Sequence, residues 1–272
     1  MRAALITHTH PEVIRSAVEE TAAFASKQGW QLLSDFPAWA QQPGITMVSQ
    51  LPMEVDLCLV LGGDGSILYA LRQYANSDVP VFGINHGTVG FLSAAERLDN
   101  LDALERAFQG DYETVSLPAL RTADNYAFND IALVRPQGSR IAELHYQVAG
   151  EEVGGVRCDG LVVATPTGST GYNLANNGPI LAWGVQGYVV SYISPHSLTA
   201  RPLVVAPDET LVVSNAPGRQ DVNIEIDGGT ISALQSGEKL EIAFVANAGL
   251  LAQLPEQSFY RRIENKFGHL AN

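Results

Sequence analysis

Apolar positions in the first part of the chain fall into short runs separated by stretches of helical spacing. Ala3–Thr7 is an apolar run and reads as a strand. Pro11 follows at a first helical position. Val13, Ile14, Ala17, Val18, Thr21 and Phe24 then recur at helical spacing, and Gly29 supplies a stop. Trp30–Leu33 reads as a second strand. Residues 34–54 contain Pro37, Pro43, Gly44 and Pro52 and read as a loop with little regular structure. Val55–Leu61 is a nearly unbroken apolar run, the pattern of a parallel strand buried on both faces. Ile67–Tyr74 reads as a helix and Val79–Ile84 as the next strand. Residues 96–108 read as a charged amphipathic helix closed by Gly110. This alternation predicts a layered α/β, Rossmann-like domain over residues 1–115.

The pattern then changes. Short runs rich in Val, Ile, Leu and Thr recur at Ile131–Arg135, Glu143–Val148, Leu161–Ala164, Leu203–Val205, Leu211–Val213, Val222–Ile226 and Leu240–Val245. Asp-Gly, Gly-Gly and Pro-Gly turn signals separate them. Helical periodicity is nearly absent, apart from room for one short helix after Thr170. Residues 116–249 therefore read as an all-β, two-sheet sandwich, and residues 256–267 as a closing helix.

Composition narrows the function classes. Two domains are the natural expectation for 272 residues. The formal net charge of −13, from 16 Lys+Arg against 29 Asp+Glu, disfavours nucleic acid and anionic membranes as partners. It also gives no long-range attraction for an anionic nucleotide, so a phosphate site has to be built locally. The only lysines are Lys27, Lys239 and Lys266; none lies in a Gly-rich loop, which excludes a Walker-type phosphate loop. Cys58 and Cys158 are isolated and form neither a disulfide framework nor a zinc pattern. The N-terminal residues lack a signal-peptide pattern, and the apolar stretch Leu181–Ile193 is short and interrupted. A cytoplasmic enzyme or binding protein is expected.

Three segments carry candidate chemistry. Gly62-Gly63-Asp64-Gly65-Ser66 joins a buried strand to a helix. Its glycines allow close backbone approach, and the helix N-terminus suits phosphate. An Asp there repels anions and calls for a hydroxyl or a metal ion; helix capping is the alternative. Asn129-Asp130 interrupts an apolar strand region, as a pocket or a plain turn. Arg157-Cys158-Asp159-Gly160 leads through an apolar strand into Thr165-Pro166-Thr167-Gly168-Ser169-Thr170-Gly171-Tyr172-Asn173. That hydroxyl- and glycine-rich run offers small donors to a base or ribose, or forms only a turn. His8 and His10 lack the neighbours of a metal site. His196 fits a pocket or a structural role equally.

Taken together these segments resemble the NAD kinase family. The match comprises GGDGS at 62–66, INHGTVGFL at 84–92, FND at 128–130, DGLVVATPTGSTGYN at 159–173, SPHSLTARPLV at 194–204 and IDG at 226–228. GGDG alone is shared with lipid kinases and phosphofructokinases; the DG…TPTGSTGY block is far more specific. The resemblance implies an α/β domain and a β domain with the active site in the cleft between them. It also implies that residues 250–272 pack back on the first domain, and that the protein is a homodimer or homotetramer. Asp64 matches the catalytic Asp that acts on the ribose 2′-hydroxyl. Asn129 and Asp130 match an NAD-binding pair. Arg157 and Asp159 match NAD contacts made partly across a subunit interface. Thr167, Thr170, Gly171, Tyr172, Asn173 and Ala175 fall in the segment around adenine. Ala175 stands where Ser is frequent, Gly229 where Gln is frequent, and Tyr69 where a basic residue is frequent. These departures bear on affinity and donor choice rather than on the reaction.

The expected chemistry is phosphoryl transfer from ATP, another nucleoside triphosphate or polyphosphate to NAD. The backbone of Gly62, Gly63 and Gly65 together with magnesium would hold the donor phosphates, and Asp64 and Gly65 would face NAD. Magnesium would be held mainly by the phosphates themselves. A lipid kinase with the same loop and a non-catalytic nucleotide-binding regulator are the rival readings.

Overall fold

The computed structural model describes residues 1–7, 10–87, 90–96 and 100–268. The chain divides into two units, Met1–Ser116 with Gly249–Asn272, and Leu117–Ala248.

The first unit begins β1 (Arg2–Thr7), α1 (Pro11–Lys27), β2 (Gln31–Ser34), β3 (Ile45–Met47), β4 (Leu57–Gly62), α2 (Asp64–Gln73), β5 (Pro80–Asn85), β6 (Ala95–Glu96) and α3 (Asn100–Gln109). Strands β3, β2, β1, β4 and β5 lie in that order, all parallel. Every residue of β4 is buried, because β1 and β5 flank it and helices cover its faces. α1 starts on Pro11, whose missing N–H is no loss at the first helical position. It buries Ile14, Ala17, Val18, Thr21, Ala22 and Ala25 on one face.

Residues 34–54 are more ordered than their prolines suggest. A 3₁₀ turn at Pro37–Trp39 buries the Trp39 ring completely. Its indole N–H donates to Thr7 Oγ1 at 3.0 Å, and β3 adds the edge strand beyond β2. Burial of one large aromatic ring outweighs weak local propensity here.

The second unit contains β7 (Glu113–Thr122), β8 (Asn125–Ala127), β9 (Asp130–Val134), β10 (Ala142–Val148), β11 (Glu151–Cys158), β12 (Gly160–Ala164), α4 (Tyr172–Ala175), β13 (Tyr188–Ile193), β14 (Leu203–Val205), β15 (Leu211–Asn215), β16 (Val222–Ile226), β17 (Gly229–Leu234) and the start of β18 (Lys239–Gln253). One antiparallel sheet runs β14-β13-β12-β9-β16-β17. The other runs β11-β10-β15-β18, and a continuous apolar core joins their inner faces. The alternating burial of β10 is that of a strand facing a core on one side only. The interrupted apolar run at 181–193 supplies β13, a nearly fully buried strand. β11 and β17 leave no apolar signature because most of their residues are exposed at sheet edges.

β18 pairs with β15 at its start and, in the first unit, with β5 at its end (Leu250 opposite Pro80). Helix α5 (Phe259–Phe267) follows; Ser258 caps it by accepting from the Arg261 N–H. None of the described helices is long and apolar enough to cross a membrane.

Candidate functional site

In the first unit, β4 ends on Gly62 and α2 starts on Asp64, three residues earlier than helical spacing alone suggests. Asp64 is thus the first helical residue, with Gly63 at the capping position. Its side chain does not cap the helix. Its two carboxylate oxygens accept the backbone N–H groups of Phe91, at 2.7 Å, and Leu92, at 3.1 Å. A β-carbon at Gly90 would overlap the Asp64 carboxylate, so this approach requires glycine. The His86 N–H donates to Gly62 O at 3.1 Å and ties the loop after β5 to the strand end beside it.

This arrangement extends to the C-terminal segment of the same unit. Leu92 O accepts from Gln253 Nε2 at 2.9 Å, and Gln253 Oε1 accepts from the Arg262 guanidinium. Arg262 is buried to 6% exposure. Burial lowers its guanidinium to about 10, against the opposing charges of Asp64 and Glu96. Gln253 and Arg262 escaped the sequence reading; the one available signal was a polar residue closing a long apolar strand. On the N-terminal side of α2, Gly65 and Ser66 line a smaller cavity of about 350 Å³ with Thr7, Asp35, Phe36 and Tyr69.

In the second unit the segments expected to bind NAD come together. Thr165 N–H donates to Asn129 O at 2.9 Å, and Thr165 Oγ1 donates to Phe128 O at 2.6 Å. Gly168 sits so close to the Asn129 carbonyl that a β-carbon there would overlap it. The backbone bends where Asn129 meets β9, and the bend has a clear cause. Asp227 accepts the N–H groups of Phe128, Asn129 and Asp130 at 3.3, 2.7 and 3.3 Å, and returns its own N–H to Asp130 O at 3.0 Å. Asp227 has a positive φ of 47°, which Asp tolerates in a turn. Its part in positioning the Asn129-Asp130 pair was not read from the sequence, although IDG was part of the matched pattern.

Asp130 is 6% exposed. Burial, with Asp227 and Glu225 nearby, pushes its carboxyl up to about 7. The Tyr172 phenol is likewise raised, by burial and by Glu225, Asp130 and Asp159. These shifts locate Asp130, Asp159, Tyr172 and the unforeseen Glu225 in one acidic neighbourhood. Asp159 is paired with Arg135 at 2.6 Å. Arg157 stands exposed on β11 and makes no side-chain hydrogen bond or ion pair among the described residues.

The hydroxyl-rich run is internally bonded. Most of its polar groups serve the turn itself. Gly168 N–H donates to Thr165 Oγ1, Ser169 Oγ donates to Pro166 O, and Thr170 Oγ1 donates to Thr167 O. Asn173 is fully buried, and its amide nitrogen donates to Ser169 O and Pro179 O, both at 3.0 Å. These bonds hold the nitrogen inside the turn, while Asn173 Oδ1 is buried without a hydrogen-bond partner among the described residues. Thr167 is 3% exposed. Gly171, Tyr172 and Ala175 form the accessible surface of this segment. His10 is exposed, 3.5 Å from Glu12; His8 lies outside the described residues, as do Thr88 and Val89 of the INHGTVGFL segment.

Two family models match the chain: the ATP-NAD kinase N-terminal domain over residues 13–112 and the ATP-NAD kinase C-terminal domain over residues 128–248. The chain belongs to the NAD kinase family. An NAD kinase from Rhodopirellula baltica is 38% identical over 224 residues, covering 79% of this chain and 72% of its own. An NAD kinase from an Acidovorax species is 32% identical over 268 residues, covering 93% and 89%. Among solved structures, yeast NADH kinase complexed with NADH superposes with a TM-score of 0.85 at 22% identity, covering 100% of this chain and 89% of its own. An Archaeoglobus fulgidus NAD kinase in complex with ATP gives 0.75 at 25% identity, covering 98% of each. The mixed α/β sheet and the antiparallel sheets are thus those of NAD kinases.

Proposed function

We propose that this family member is an NAD kinase: it transfers the terminal phosphoryl group of ATP to the 2′-hydroxyl of the adenosine ribose of NAD. The observation that carries the reading is the Asp64 carboxylate, oriented by two backbone N–H groups at the start of a helix and not used as a cap.

Asp64 accepts the proton of the 2′-hydroxyl as its oxygen attacks the terminal phosphorus. The new O–P bond forms as the bond to the departing diphosphate breaks. The Phe91 and Leu92 N–H groups fix the carboxylate, so its orientation does not have to be established during the reaction. The first N–H groups of α2, at Asp64 and Gly65, together with Gly62 and Gly63, serve the donor phosphates. Asn129, Asp130, Asp159 and Tyr172 hold NAD, with Arg157, Thr167, Thr170, Gly171 and Ala175 around it. Asn173 contributes by shaping that turn.

Magnesium is expected to arrive bound to the donor phosphates. Magnesium there would neutralise charge on the transferring phosphoryl group. A lipid kinase sharing the GGDG loop finds no support in the family models or the relatives. The intact Asp64 arrangement argues against a non-catalytic regulator. A cytoplasmic homodimer or homotetramer is the assembly we favour, on the family resemblance.

The test is Asp64→Asn assayed with ATP, magnesium and NAD. Turnover is expected to fall on the order of 10²-fold or more, with the NAD dissociation constant nearly unchanged. Asn offers one acceptor oxygen where Asp64 offers two, so one backbone N–H loses its partner, at a cost of about 1–3 kcal/mol in stability. A folded variant with near wild-type turnover would remove Asp64 as the base.

A further inference from the structure

A cavity of about 800 Å³ opens within the first unit beside the Asp64 loop. Asn85, His86, Gly90, Glu96, Arg262 and Lys266 are among its lining residues. The volume suits a nucleotide-sized ligand. Its charge is unusual for this molecule, which carries −13 overall and only three lysines. One of the three, Lys266, sits here with its ammonium 4.8 Å from the centre of the Phe91 ring. Phe91 is also the residue whose N–H holds Asp64. Arg262, one turn earlier on α5, is almost wholly buried, and a guanidinium is costly to desolvate without a compensating charge. The proximity of Asp64 and Glu96 offsets part of that cost. Glu96 is itself held by Asn85 Nδ2 at 2.8 Å.

We infer that this cavity seats the phosphate chain of the donor, with Arg262 and Lys266 of the C-terminal helix as its cationic partners. The inference rests on the NAD kinase reading and extends the donor site beyond the glycine loop. A guanidinium and an ammonium a turn apart on one helix suit a chain of linked phosphates better than a single anion. The wall is not uniformly basic: Glu96 faces the same space. That mixture fits a phosphate chain already partly neutralised by magnesium. Gly90 lines the cavity and packs directly against the Asp64 carboxylate, so a phosphorus seated at this wall lies near the group that receives the proton.

The experiment measures KM for ATP and for NAD separately in Lys266→Gln and Arg262→Lys. It also measures inhibition of the wild type by tripolyphosphate, which carries the chain without the nucleoside. Lys266 is exposed, so Lys266→Gln is expected to fold. Its KM for ATP should rise about tenfold, and KM for NAD should move less than about twofold. Arg262→Lys keeps the charge but loses the planar fork, and should raise KM for ATP by less. Tripolyphosphate should compete with ATP in the wild type and more weakly in Lys266→Gln. Unchanged ATP kinetics in a folded Lys266→Gln, or tripolyphosphate that does not compete with ATP, overturns the inference. Loss of NAD phosphorylation at every ATP concentration in the wild type would instead count against the kinase reading itself.

Discussion

The two units hold their candidate carboxylates in different ways. In the α/β unit, backbone donors hold Asp64: the Phe91 and Leu92 N–H groups bind it, and the Arg262 guanidinium feels its charge. In the β unit, burial, with Asp227 and Glu225 nearby, raises the Asp130 carboxyl and favours its neutral form. The same side chain is thus set in two different surroundings by its tertiary neighbours: backbone donors hold Asp64, and burial beside acids raises Asp130.

The largest effect expected on this contrast comes from Gly90→Val. Its β-carbon would displace the Asp64 carboxylate from its backbone donors. Turnover is expected to fall on the order of 10²-fold or more, because a reacting group moved by about 1 Å loses that much. Wild-type turnover in Gly90→Val would show that the Asp64 position is not held by this loop.

Asp227→Ala comes next. It removes the acceptor of three backbone N–H groups and frees the bend at Asn129-Asp130. A stability loss of about 2–4 kcal/mol in urea unfolding is expected, together with weaker NAD binding. A loss under about 0.5 kcal/mol would mean that the bend is held by the strands alone.

The smallest effect concerns pH. Asp130 has its carboxyl raised to about 7 in the fold, against an ordinary value of roughly 3.9 in the unfolded chain. Between those values the folded chain binds the extra proton. The contribution of Asp130 to stability is therefore fully present below the unfolded value and is lost as pH rises through the folded one. Asp130→Asn should raise the melting temperature at pH 8 by about 2–4 °C for each kcal/mol recovered, and leave it nearly unchanged at pH 4. Equal shifts at both pH values would locate the penalty outside this carboxyl.

Much of the fold was legible because burial imposes periodicity. The apolar run at 55–61 and the repeated short runs after residue 116 read as strands, and β4, β9, β10, β12, β15 and β16 occupy those runs. Strands at exposed edges, such as β17, carry no such signal. β3 and the Trp39 turn were hidden by prolines, whose local preference was overridden by burial of one ring. At the candidate site, Asp64, Asn129 and Asp130 were found because polar residues interrupt apolar runs. Gln253 and Arg262 were not, since the one local signal, a polar residue closing an apolar strand, is weak; only folding brings them beside Leu92, whose N–H holds Asp64.

The sequence by itself determined the kinds of residue available: the glycine loop with its Asp, the hydroxyl-rich turn, and the motif order that marks the family. It also set the alternation of local structure, because side-chain period follows directly from backbone geometry. Only the tertiary structure decided which groups were left to act. It took Asn173 and most hydroxyls of the 165–170 turn for internal hydrogen bonds. It turned Asp64 away from capping its helix and toward Phe91 and Leu92. It raised Asp130 by burying it beside Asp227 and Glu225. Each outcome depends on contacts between residues far apart in the chain. Hydrogen bonds and charges act over a few ångströms of space whatever the sequence separation.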